Sequence, residues 1–158
     1  VPPDAPFTRL ADEASRWAGE LPARWEAAGR PFERRLLDAA RSWAADLAAS
    51  QPEQVLVDQD LHGDNVLAAT RRPWLAIDPK PLVGERAFGL TAPIRSYEFG
   101  HTRVDVWRRL DRLSEAVDAD RERARWWTVV HGLAWSIDAG RVYRRHVDTA
   151  RWLVDGRP

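Results

Sequence analysis

The sequence predicts an α+β domain, mostly helical, with a small β-hairpin near its middle. Apolar residues recur at three- and four-residue steps over residues 1–50 and again over 102–158. At Gln51-Pro52 the period changes to short apolar runs separated by turn residues. A length of 158 residues with 44% hydrophobic residues, nine Trp among them, supplies the core of one compact domain.

Residues 1–50 form a helical lead-in. Thr8 or Asp12 is placed to cap a helix running through Trp17 to about Leu21. Pro22 suits the first turn of a second short helix carrying Trp25, which Gly29 ends. Pro31 opens the clearest helix. Its apolar stripe is Phe32, Leu36, Leu37, Ala40, Trp43, Ala44 and Leu47, with Glu33, Arg34, Arg41 and Asp46 off it.

Residues 51–80 carry three short strands, predicted over 55–57, 66–69 and 74–77, with Thr70-Arg71-Arg72-Pro73 turning the last two into a hairpin. Over 81–101, Pro81, Gly84, Gly89, Pro93 and Gly100 interrupt any period, which predicts a long ordered loop holding a helical turn. Helices return over 103–117, 120–139 and 142–154, with Gly140 and Gly156 as stops.

Composition removes several function classes. With 24 basic and 24 acidic residues the net charge is zero, which argues against an obligate nucleic-acid partner. The absence of Cys excludes disulfides and thiolate metal sites. No apolar run approaches the ~20 residues of a membrane span, and no secretory signal pattern is present. A cytoplasmic protein without a membrane partner is expected. The sequence holds no Met and begins with Val1, which suggests a fragment or a non-Met start. Its basic residues are all Arg except Lys80.

Lys80 falls inside the most informative stretch. Asp58-Gln59-Asp60-Leu61-His62-Gly63-Asp64-Asn65 leads into the hairpin, and Trp74-Leu75-Ala76-Ile77-Asp78-Pro79-Lys80 leaves it. A carboxylate just after a short strand, here Asp60, can accept a hydrogen bond from an acceptor hydroxyl and orient it toward a phosphoryl group. Asn65 offers an amide oxygen and Asp78 a carboxylate oxygen, a suitable set for Mg²⁺, which takes few protein oxygens and keeps water and phosphate for the rest. Because neighbouring strands lie ~5 Å apart, the hairpin brings Asn65 and Asp78 together. Each residue alone would suit an ordinary turn. The joint pattern points to phosphoryl transfer from ATP with Mg²⁺.

The element order resembles the carboxy-terminal lobe of kinase-fold enzymes. More narrowly, residues 60–67, 74–86 and Arg95-Ser96-Tyr97-Glu98 resemble the streptomycin 6-kinase and hydroxyurea phosphotransferase group of the aminoglycoside phosphotransferase family. The resemblance runs from about Ala39 to the carboxy terminus. It implies Asp60 as catalytic base, Asn65 and Asp78 as Mg²⁺ ligands, and a hydroxyl of a cationic, streptomycin-like antibiotic as acceptor. Where the family ordinarily has His two residues before the catalytic Asp, this chain has Asp58. That substitution predicts altered support of the loop and an added demand for an ion pair.

Kinases also use a Gly-rich loop, a strand Lys and a helix Glu to grip ATP. Nothing before Asp60 supplies them: Gly19 and Gly29 stand ten residues apart and the sole Lys follows the motif. The expectation is therefore a carboxy-terminal lobe whose amino-terminal lobe is absent. An alternative is a non-catalytic, substrate-binding remnant of such a kinase. A third reading, a metal-dependent phosphohydrolase, would use Asp60, His62, Asp64 and His101.

Lys80 is a candidate for the phosphates, or for a local ion pair with Glu85 or Asp78. His62, Asp64, Glu85 and Glu98 are candidate substrate contacts, with Arg86 beside them, because carboxylates pair well with guanidinium groups. Asp105, Asp111 and Asp138 are further acidic candidates. His101, His131 and His146 lack zinc-ligand spacing and are expected to be structural. Trp126, Trp127 and Trp135 are expected in the core.

Overall fold

In the computed structural model, which describes residues 1–2 and 6–157, Leu10, Ala14, Trp17, Leu21 and Trp25 line the buried face of one continuous helix, α1 (Leu10–Ala27). The break expected at Pro22 does not occur. Proline removes one backbone N–H, but the buried residues on either side keep a common helical phase, and packing against the next helix retains the turn. Arg9, rather than Thr8 or Asp12, precedes the first turn; Asp12 sits within it, where a carboxylate complements the helix dipole.

Helix α2 (Arg34–Ala49) starts three residues after Pro31 and buries Leu36, Leu37, Ala40, Ala44 and Leu47 against α1. Strand β1 (Val55–Asp58) follows, then a 3-10 turn (Gly63–Asn65), β2 (Val66–Ala68) and β3 (Trp74–Ala76). The predicted hairpin forms, antiparallel, with Val66 opposite Ala76 and Ala68 opposite Trp74.

The segment after the hairpin is more regular than its Pro and Gly content suggests. It holds β4 (Pro81–Gly84), a 3-10 turn (Arg86–Leu90) and α3 (Thr91–Arg95). Strand β4 runs antiparallel to β1, pairing Asp58 with Pro81 and Val55 with Gly84, and buries Leu82 and Val83. Pro81 and Gly84 bound the strand and so conceal it in a sequence pattern. Gly84 has a packing reason: a Cβ there would stand 2.5 Å from Leu10 Cβ, so its absence lets α1 lie against the sheet.

Helix α4 (Arg103–Ala116) opens with a reciprocal cap between Thr102 and Asp105. Helix α5 (Arg121–Ala134), capped by Asp120, is buried nearly all round from Trp127 to Ala134 and is the hub against which α2, α3, α4 and α6 pack. It stops five residues before the expected end. Ile137–Asp138 (β5) and Arg141–Val142 (β6) instead form a hairpin. Ala139 and Gly140, both at positive φ (45° and 78°), make its two-residue turn. Helix α6 (Arg144–Asp155) closes the core. The fold is thus mixed and mostly helical, as predicted. Among the described residues no helix is long and apolar enough to cross a membrane.

Candidate functional site

Strand β1 delivers Asp58 to the edge of the small sheet, and Asp58 Oδ1 accepts two backbone N–H bonds, from Asp60 at 3.0 Å and from Lys80 at 3.2 Å. The backbone of Gln59 also donates to the carbonyl of Lys80 at 3.2 Å. These bonds tie the loop carrying Asp60 to the chain leaving the hairpin. Among the described residues Asp58 makes no ion pair, so the demand expected of a second carboxylate is met by backbone donors.

Lys80 Nζ pairs directly with Asp60 Oδ2 rather than with Glu85 or Asp78. Its pKa is raised, first by that hydrogen bond and further by the charges of Asp60, Asp78 and Asp58. Asp60 is largely shielded, its side chain 15% exposed, so this contact is stronger than a fully solvated one.

Asn65 ends the 3-10 turn and immediately precedes β2. Its Nδ2 donates to the carbonyl of Asp60 at 3.1 Å, which turns the amide oxygen the other way. Ile77 N–H donates to Asn65 C=O at 2.9 Å, extending the hairpin ladder by one pair and placing Asp78 one residue beyond. Asp78 holds φ +47°, the left-handed region unusual for a residue with a side chain. Among the described residues its carboxylate has no hydrogen-bond or ion-pair partner. The backbone therefore gathers Asp60, Asn65, Asp78 and Lys80 at one edge of the hairpin.

Three residues at this edge were not singled out as site residues by sequence. Lys80 Nζ and the Arg95 guanidinium each lie 5.6 Å from the ring of Trp135, within cation–π range. Arg95 Nη1 meets His146 Nε2 at 3.0 Å, while its Nε and Nη2 are sealed from solvent and, among the described residues, have no hydrogen-bond partner. Burial pushes Arg95 down to about 10, still charged at neutral pH, and the nearby Asp60 opposes that shift. Burial, then the Arg95 charge, holds His146 at about 4. Trp135, Tyr143, His146 and Asp138 border a cavity of about 430 Å³ beside this group. Trp135 lies 55 positions from Lys80, and no local spacing signals the contact.

His62, Asp64 and Glu98 converge on the other side of the loop, their ligand atoms within 4.8 Å of one another. Glu85 is not with them. It is 1% exposed and accepts from Arg123 Nε (2.5 Å), Arg123 Nη2 (2.6 Å) and Trp127 Nε1 (2.6 Å), a core ion pair that removes it from a substrate's reach. Arg86 forms a two-pronged pair with Glu53. Asp105 caps α4, and Asp111 binds Arg121 and Arg157. His101 contacts Thr149 Oγ1 at 3.0 Å and lies tilted against the ring of Trp152, so the phosphohydrolase set is not assembled. His131 is fully buried among Trp17, Phe88 and Trp135, which drives its pKa well down. Trp127 is in the core as expected, and Trp126 stacks on Trp43 at 5.8 Å.

A family model described as aminoglycoside/hydroxyurea antibiotic resistance kinase matches residues 1–142. The chain is 44% identical over 146 residues to a hydroxyurea phosphotransferase of Kitasatospora aureofaciens, an alignment covering 84% of this chain and 41% of that protein. It is 37% identical over 150 residues to a streptomycin 6-kinase of Streptomyces griseus, covering 89% and 48%. A streptomycin 6-kinase of Streptomyces glaucescens is 38% identical over 149 residues, with the same coverage. The chain spans less than half the length of these relatives. No solved structure matches. With a loop carrying Asp60 and Asn65, a hairpin ending in Asp78, and a family match over nine-tenths of its length, the chain belongs to the aminoglycoside/hydroxyurea antibiotic resistance kinases.

Proposed function

We propose that this chain carries the acceptor and metal half of an ATP-dependent phosphotransferase, the carboxy-terminal lobe of a kinase-like fold acting in the cytoplasm. The acceptor is a hydroxyl of a cationic, streptomycin-like antibiotic, with hydroxyurea as the smaller acceptor suggested by a relative's name. The observation that carries the reading is the convergence of Asp60, Asn65, Asp78 and Lys80 at one edge of the hairpin.

Asp60 acts as the base. An acceptor hydroxyl donates to its Oδ2, displacing Lys80, and passes its proton to the carboxylate as the oxygen attacks the γ-phosphorus and the bond to the β–γ bridging oxygen breaks, releasing ADP. Lys80, released, faces the incoming phosphoryl oxygens from beside the site. Asn65 Oδ1 and Asp78 would hold Mg²⁺, whose chemistry here is to neutralise phosphate charge. The committed nitrogen of Asn65 and the carboxylate of Asp78, which has no partner among the described residues, fit that role. Arg95, Trp135 and His146 fix Lys80 and the floor beside Asp60. His62, Asp64 and Glu98 border the acceptor side of the loop.

The test is transfer of label from γ-labelled ATP, with Mg²⁺, to streptomycin or hydroxyurea by this chain together with the nucleotide-binding lobe that the reading assigns to the other half of the enzyme. Asp60→Asn should lower transfer by about 10²–10⁴-fold while leaving Mg-ATP binding in place. Equal transfer by the variant, or Mg-ATP binding without transfer to any hydroxyl acceptor, would overturn the reading.

A further inference from the structure

His62 and Asp64 flank Gly63 at the start of the 3-10 turn, and Glu98 reaches them from the segment after α3. Gly63 makes the approach possible: a Cβ there would stand 2.3 Å from Glu98 Oε2. Its N–H instead donates to that oxygen at 2.9 Å, which holds the carboxylate in place. The two nitrogens of His62 are differentiated by their neighbours. Nε2 lies 3.2 Å from Asn65 Nδ2 and 3.9 Å from Asp60 Oδ2; with the nearer neighbour a group that only donates, Nε2 is assigned as the acceptor and Nδ1 as the carrier of the ring proton. Nδ1 faces Asp64 Oδ2 at 3.9 Å.

We propose that His62 Nδ1, Asp64 and Glu98 form a binding site for a divalent transition metal, Zn²⁺ above all, separate from Asn65 and Asp78. One imidazole and two carboxylates suit Zn²⁺, and an exposed rim leaves a fourth position to water. The imidazole distinguishes this set from a solvated acidic patch, which would prefer harder cations. Binding also rearranges the ring. The metal takes the Nδ1 lone pair, the proton that Nδ1 carried passes to solvent while Nε2 takes one up, and the neutral imidazole then carries its single N–H on Nε2. Nε2–H opposes the Asn65 Nδ2 donor, so the amide turns and presents Oδ1 to His62. On the reading of Asn65 as a Mg²⁺ ligand, that turn withdraws the ligand oxygen, and the transition metal inhibits phosphotransfer.

The test uses the metal-stripped chain, titrated with Zn²⁺ by calorimetry and with Co²⁺ by visible absorption. One saturable equivalent is expected. His62→Gln and Glu98→Gln should each weaken it at least about tenfold. Glu98→Gln keeps a carbonyl oxygen for the Gly63 N–H, and circular dichroism verifies that both variants fold. Asp78→Asn should leave Zn²⁺ affinity unchanged. Absence of saturable binding, or equal affinity in the His62 and Glu98 variants, would overturn the site. Long-range ¹H–¹⁵N spectra of His62 should show the ring proton on Nδ1 before Zn²⁺ and on Nε2 after it; an unchanged pattern would overturn the coupling. None of these readouts depends on phosphotransfer, so their failure is distinct from failure of the Asp60 mechanism.

Discussion

Replacing Glu85 with Gln tests whether this carboxylate belongs to the core or to a ligand. The substitution keeps size and still offers Trp127 Nε1 an acceptor, but it removes the charge opposite Arg123. Removing one partner of a buried ion pair costs about 3–5 kcal/mol, mainly because the other charge is left uncompensated. Arg123 is 16% exposed and keeps bonds to Ser50 Oγ (3.1 Å) and Leu47 C=O (3.4 Å), which places the loss at the lower end, about 3 kcal/mol. Glu85→Ala should cost more, since Trp127 Nε1 then loses its acceptor, about 1–3 kcal/mol in addition. Urea unfolding followed by Trp fluorescence reads these losses as midpoint shifts at constant slope. A second arm combines Glu85→Leu with Arg123→Met. The double variant should be less destabilised than the sum of the singles by about 1–3 kcal/mol, because neither charge is left alone. A loss below about 1 kcal/mol for Glu85→Gln, or strict additivity in the double variant, would refute the core assignment.

Asp58→Ala should free the amides of Asp60 and Lys80, raising their hydrogen-exchange rates and costing about 1–2 kcal/mol, whereas Asp58→Asn keeps an acceptor and most of the protection. Unchanged exchange at both amides in Asp58→Ala would remove Asp58 as the loop's support. Acid should destabilise the fold through His146. Burial, aided by the Arg95 charge, lowers its folded pKa to about 4 from an ordinary 6.5, so the unfolded chain binds the extra proton between those values. Stability from this group is complete above 6.5 and declines as pH falls toward 4, by about 3 kcal/mol at most. His131 acts in the same direction, and Glu33, held at about 2 by Arg151, contributes only below its ordinary range near 4.5. Urea midpoints at pH 7.5, 6 and 4.5 should fall less steeply in His146→Gln; parallel curves would show that His146 is not the group responsible.

Much of the fold was readable from local pattern. The helix spanning residues 34–49, the β2–β3 hairpin and the helix beginning after Thr102 each follow from periodicity, turn residues and caps within a few positions. The misread elements depend on distant partners. Pro22 continues a helix because Leu21 and Trp25 are buried in one phase, and β4 exists because β1 lies beside it. The end of α5 and the start of α6 were misplaced because Ile137 is apolar enough to prolong one helical pattern and Val142 to open the next, whereas the positive φ of Ala139 and Gly140 turns them into a hairpin.

The same division runs through the candidate site. By itself the sequence determined the family and the spacing of Asp60, Asn65 and Asp78, because these residues are carried on one loop and one hairpin whose geometry is local. Only the tertiary structure decided that Glu85 belongs to Arg123 and Trp127. It alone seated Lys80 between Asp60 and Trp135, placed Arg95 against His146, and brought Glu98 to His62 and Asp64. The physical reason is common to all four. A side chain's partner is set by burial and by the packing of separate elements, and residues 20 to 55 positions apart share no local pattern that records their meeting.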